Sequence, residues 1–105
     1  MLQNTLDCID KKIPLRSRYD NFINGGWVAP VRGQYFVNTS PVDGKPLCEI
    51  ARSSAEDIEL ALDAAHAAAD KWGRSSTTER SNILLKIADR MEQYASFIAA
   101  VETAD

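Results

Sequence analysis

The run Asn21-Phe22-Ile23-Asn24-Gly25-Gly26-Trp27-Val28 constrains the fold of this chain more than any other stretch. Apolar residues flank an Asn-Gly pair, and both members of that pair tolerate the positive φ of a type I′ turn. The pattern predicts a tight β-hairpin from Phe22 to Val28. As chemistry it is silent, since none of its side chains is a nucleophile, a base or a metal ligand.

Further elements follow in order. Ala29-Pro30 and Arg32-Gly33 close the hairpin, and a second strand is expected from Gln34 to Ser40, with Tyr35, Val37 and Thr39 on one face. Pro41-Val42-Asp43-Gly44 reads as a turn, because Pro presets φ and Gly releases it. A third strand is expected from Lys45 to Arg52, paired with the second. A helix is expected to begin at Ser53 or Ser54, since Ser53-Ser54-Ala55-Glu56 has capping-box spacing and Asp57 adds charge where the dipole favours it. Ile58, Ala61, Leu62, Ala65, Ala68, Ala69 and Trp72 form its expected buried stripe, and Gly73 is placed to end it. Ser76-Thr77-Thr78-Glu79 repeats the start signal for a helix whose buried stripe would be Leu84, Ile87, Ala88, Met91 and Ala95. The period blurs from Gln93 to Ser96, which predicts a break and a short third helix carrying Phe97, Ile98 and Val101. The fold class is therefore α+β, short N-terminal hairpins followed by two or three helices. Residues 1–18, broken by Pro14, read as a flexible arm, and residues 19–105 as one structural piece without an interior boundary.

Composition excludes several function classes. A net charge of −3 leaves no basic face for nucleic acid, since Lys11, Lys12, Arg16 and Arg18 form only a short, interrupted cluster. No apolar run approaches 18 residues and no signal-peptide layout is present, so no membrane association and a cytoplasmic location are expected. Cys8 and Cys48 are far apart and fit reduced thiols.

Candidate catalytic groups each have a plainer reading. His66 is the single histidine and is expected at the surface near Asp70, a poor zinc site. Cys48 sits between Leu47 and Glu49 with no adjacent cation to activate it. Gly25, Gly26 and Gly33 form neither a dinucleotide-binding loop nor a P-loop. The carboxylates Glu56, Asp57 and Glu59 read as capping and solvated surface. Trp27, Tyr35, Phe36 and Trp72 read as core, with no interleaved basic residues to make a stacking platform.

Taken in sequence, the hairpin, Pro41-Val42-Asp43-Gly44, Glu56-Asp57-Ile58, Trp72, Glu79-Arg80, Ile83-Leu84-Leu85-Lys86-Ile87-Ala88-Asp89 and Glu102-Thr103-Ala104-Asp105 resemble the N-terminal segment of the NAD(P)-dependent aldehyde dehydrogenases. The likeness runs from about Tyr19 to the last residue. Residues 16–28 and 56–92 look most like bacterial members acting on acetaldehyde and similar small aldehydes. The resemblance implies a partial coenzyme-binding domain and an oxidoreductase family that uses NAD or NADP. That family's catalytic cysteine, glutamate and nucleotide-binding glycine motif have no counterpart here, and Cys48 lacks the Gly-Gln-x-Cys context of the family nucleophile. The chain alone is expected to be inactive and to hold no coenzyme. The resemblance also implies a monovalent-cation site, using a main-chain carbonyl at Asn38 or Thr39 and the carboxylate of Asp105. Helix stripes without their sheet predict self-association or binding to the remainder of the dehydrogenase. A stand-alone module that binds a full-length dehydrogenase, or itself, is the alternative.

Overall fold

The computed structural model describes residues 15–105, so most of the expected arm, with Cys8, lies outside the described residues. Five short strands precede three helices: β1 (Arg18–Tyr19), β2 (Asn21–Ile23), β3 (Gly26–Val28), β4 (Tyr35–Thr39), β5 (Pro46–Ala51), α1 (Ala55–Gly73), α2 (Thr77–Gln93) and α3 (Ala95–Ala104). The expected α+β class is the observed one.

Strands β2 and β3 form the antiparallel hairpin, with Phe22 opposite Trp27 and Ile23 opposite Gly26. Asn24 at φ 54° and Gly25 at φ 77° supply the two left-handed residues of the turn. The second sheet has the order β1-β5-β4. Its β4–β5 neighbours are the expected pair, joined by a turn in which Gly44 N–H donates to Ser40 O at 2.8 Å. Strand β1 was not foreseen. Arg18, assigned by sequence to the arm, pairs in parallel with Glu49, and Tyr19 with Ile50.

The described residues fall into two compact units, one of residues 16–38 with 46–75 and one of residue 15 with 39–45 and 76–105. In the first, α1 opens at Ser54, the second of its two expected starts, and its capping box lies one place later than the spacing suggested. Ser54 is the N-cap, and Asp57 rather than Glu56 completes the box, its carboxylate accepting the Ser54 N–H at 2.8 Å and hydroxyl at 3.2 Å. Gly73 is also displaced from its expected role. It lies within the helix, and Arg74 caps the end in a right-handed conformation, so no left-handed glycine is used.

In the second unit, Ser76 and Glu79 make the expected reciprocal box at 2.9 and 3.1 Å. The break near Gln93 is a single residue. Tyr94 is at once the C-cap of α2 and the N-cap of α3, at φ −106° and ψ 17°. Its N–H donates to Arg90 O at 3.1 Å and its carbonyl accepts the Ile98 N–H at 2.9 Å.

Burial departs most from the sequence expectation. Among the described residues only Pro30, Ser40, Asp57 and Ala104 are buried. The apolar stripes stand in solvent instead, with Trp72 50% and Leu84 66% exposed and Ile58, Leu62, Ile87 and Met91 exposed beside them. The spacing of each stripe is helical as expected, but nothing among the described residues buries it.

Candidate functional site

Two places bring distant residues together through polar groups. The first joins the turn after β4 to the end of α3. The buried Ser40 hydroxyl donates to Ala104 O at 2.6 Å, across 64 residues of sequence. Ser40 Oγ also accepts the Val42 N–H at 3.3 Å, and Asp43 accepts the Lys45 N–H at 2.9 Å, which stiffens the turn. The two residues named for a cation, Thr39 and Asp105, are each one position from this tie, and both are exposed. A carbonyl and a carboxylate are hard oxygen donors, which suit a hard cation in kind. Among the described residues no group of three or more His, Cys, Asp or Glu could hold a metal.

The second place is the start of α1. Asp57 is 3% exposed and accepts the Val31 N–H at 2.9 Å in addition to its bonds with Ser54. The Ser54 N–H, then the Val31 N–H, hold its carboxyl below the usual carboxylate range. Sequence reasoning placed Asp57 as a dipole partner among capping and solvated carboxylates, not as a buried one. No local signal marks a side chain that reaches a loop 26 residues earlier.

A third cluster fixes β1. The Arg18 guanidinium bonds Glu49 Oε2 at 2.7 and 2.8 Å and lies 4.0 Å from the centroid of the Tyr35 ring. The Tyr35 hydroxyl donates to Asp20 at 2.5 Å, and that bond raises its pKa above the ordinary tyrosine value. Glu49 similarly raises Arg18. These groups are paired with one another and lie at the surface, so they read as fastening rather than catalysis.

The remaining candidates stay apart. His66 is exposed on α1, with no ion pair to Asp70 among the described residues, and Cys48 is half-buried in β5. At the starts of α1 and α2 the carboxylates of Asp57 and Glu79 accept the N–H groups of Ser54 and Ser76. Among the described residues no helix is long and apolar enough to cross a membrane.

Residues 27–105 match the model of the aldehyde dehydrogenase family. The chain belongs to that family. It is 67% identical over 93 residues to an aldehyde dehydrogenase of Deinococcus radiodurans, covering 89% of this chain and 18% of that protein. It is 62% identical over 93 residues to an acetaldehyde dehydrogenase of Pseudomonas aeruginosa, again over 89% and 18% of the two. Among solved structures it resembles PnpE in complex with nicotinamide adenine dinucleotide, with a TM-score of 0.79 and 35% identity, covering 82% of this chain and 18% of that one. The chain thus spans about a fifth of the length of the relatives it matches and corresponds to the N-terminal segment of an aldehyde dehydrogenase. The exposed stripes of α1 and α2 are consistent with a segment whose relatives continue well beyond it.

Proposed function

We propose that this segment forms part of the coenzyme-binding domain of a cytoplasmic NAD(P)-dependent enzyme that oxidises small aliphatic aldehydes to acids, and that it is inactive alone. The observation that carries the reading is the exposure of Trp72, Leu84, Ile87 and Met91 on regular, well-capped helices. Apolar rows of that size on formed helices call for a covering surface. The 105 residues contain no Gly-Gln-x-Cys sequence and no strand-to-helix glycine loop. Their role is then architectural, helping to form the outer wall of the domain that holds the coenzyme. Acetaldehyde is the proposed substrate class, after the Pseudomonas aeruginosa relative.

The same reading assigns the Thr39 carbonyl and the Asp105 carboxylate to a monovalent cation. The Ser40–Ala104 bond supports it by tying together the neighbours of both residues.

The test is complementation. The purified chain with NAD and acetaldehyde should show no reduction above a blank. Co-expressed with the part of the Pseudomonas aeruginosa enzyme that follows the matched segment, it should restore acetaldehyde oxidation. Turnover by the chain alone would overturn the inactivity. Binding to the intact enzyme without restoration would favour the stand-alone module instead.

A further inference from the structure

Asn24 is the one asparagine of this sequence that is followed by glycine. With Gly25 it forms the turn between the paired residues Ile23 and Gly26. Among the described residues no hydrogen bond engages the Asn24 side-chain amide or the Gly25 N–H. Gly25 also brings no Cβ to crowd its own nitrogen. A free amide next to an uncrowded nitrogen is the arrangement from which an asparagine cyclises.

The backbone of the turn decides whether the two groups can meet. Asn24 at φ 54° and Gly25 at φ 77° make it a type I′ turn. A type II′ turn keeps φ of about 60° at the first central residue but sets its ψ to about −120°. At an L-residue that ψ brings the following nitrogen into eclipse with Cβ, which is the geometry of a closed succinimide ring. Reaching it takes one flip of the Asn24–Gly25 peptide, with Gly25 moving to φ of about −80°, and glycine adopts either sign. Both turn types match the twist of a two-residue hairpin. The reactive geometry is therefore accessible with Phe22 still opposite Trp27.

Asp43-Gly44 could close the same ring in principle, but its turn is built the opposite way. Gly44 N–H donates to Ser40 O at 2.8 Å, and Asp43 Oδ1 accepts the Lys45 N–H at 2.9 Å. Attacking nitrogen and acceptor carboxyl are both held, so closure there breaks both hydrogen bonds.

We propose that Asn24 is a site of spontaneous backbone modification in the folded chain, and that the turn at Asp43 protects its own Asp-Gly pair. Hydroxide takes the Gly25 N–H proton, and the nitrogen attacks Asn24 Cγ. The N–Cγ bond forms and the Cγ–Nδ2 bond breaks. The leaving nitrogen takes a proton from water and departs as ammonia, which regenerates the hydroxide. Water then opens the succinimide at either carbonyl, and no electron changes hands. Opening at Cγ leaves aspartate, whereas opening at the main-chain carbonyl leaves isoaspartate, with the side-chain carbons now in the backbone. Either product adds a negative charge to a chain of net charge −3. Isoaspartate also lengthens the turn by one carbon, which strains the register of Ile23 against Gly26. The hairpin thus carries a chemical mark that accumulates with time.

The test incubates the full chain in mildly alkaline buffer, both native and in guanidinium chloride, with circular dichroism reporting helix in the native sample. Peptide mapping by mass spectrometry, with an isoaspartyl methyltransferase as the probe, reads isoaspartate at positions 24 and 43. The native chain should convert at Asn24, and faster as pH rises, because the first step needs hydroxide. The ratio of native to unfolded rate should be at least about tenfold higher at Asn24 than at Asp43, reflecting the hydrogen bonds that Asp43 and Gly44 would lose. Asn24→Gly keeps the turn and should abolish the signal at position 24 while leaving position 43 unchanged. Equal ratios at the two sites overturn the proposal. So does a native chain that stays unmodified at Asn24 while the same site converts in guanidinium chloride.

Discussion

The carboxylate of Asp57 accepts the Val31 N–H at 2.9 Å while also closing the N-terminus of its own helix through Ser54. One side chain thereby joins the loop after the hairpin to α1. Asp57→Ala should free the Val31 amide and fray the first turn of α1 together. Hydrogen exchange should show faster exchange at Val31 and at the start of α1 in the same variant, with a lower denaturation midpoint. Protection retained at Val31 would show that the loop holds itself.

The lowered pKa of Asp57 gives this tie a pH signature. An unfolded aspartate titrates near 3.9, so between that value and the lower folded one the unfolded chain binds more protons. The contribution is fully present above about pH 5, declines as pH falls, and is lost below the folded pKa. Urea denaturation at pH 6 and pH 3 should show a larger acid loss in the native chain than in Asp57→Asn.

Much of the local structure was legible in the sequence, and the reasons are local. Asn24 and Gly25 specify the hairpin turn by themselves, and Ser76 with Glu79 specifies a helix start within four residues. Asp57 was displaced by one position because Glu56 has the same chemistry at the neighbouring place. Strand β1 escaped notice because two residues carry no period, and its partner Glu49 lies 31 residues away. The Ser40–Ala104 bond spans 64 residues and has no pattern at all. The burial of the helix stripes could not be read from their spacing, since spacing shows which residues share a face and not what covers it.

Gly25 offers a clean measure of turn strain. A Cβ placed there meets nothing within 4 Å, so Gly25→Ala should cost only the left-handed backbone at φ 77°. That cost is about 1–2 kcal/mol. Asn24→Gly should be near neutral, as both residues tolerate the turn. Denaturant titration of the two variants, followed by Trp27 fluorescence, checks the contrast.

Ser40→Ala would strand the buried Ala104 carbonyl, at a cost of about 1–3 kcal/mol. The loss should appear as faster exchange at the end of α3, with the α2 amides nearer native. Ser76→Ala should instead cost about 1 kcal/mol and act at the start of α2. If both substitutions loosened the same amides, the two ends of this unit would not be separable.

Tyr35 should ionise above the ordinary tyrosine value because its hydroxyl is committed to Asp20. Ultraviolet titration of the native chain and of Asp20→Asn should show the highest phenol transition moving down in the variant. An unchanged transition would mean that the pair does not persist in solution.

The joint at Tyr94 has a mechanical meaning. Tyr94 bonds back to Arg90 and forward to Ile98, so one residue is held by both helices. Ser40 grips the carbonyl of Ala104 at the other end of α3. A short helix fastened at both ends has no loose tip from which to fray, so its amides should open together as one cooperative piece.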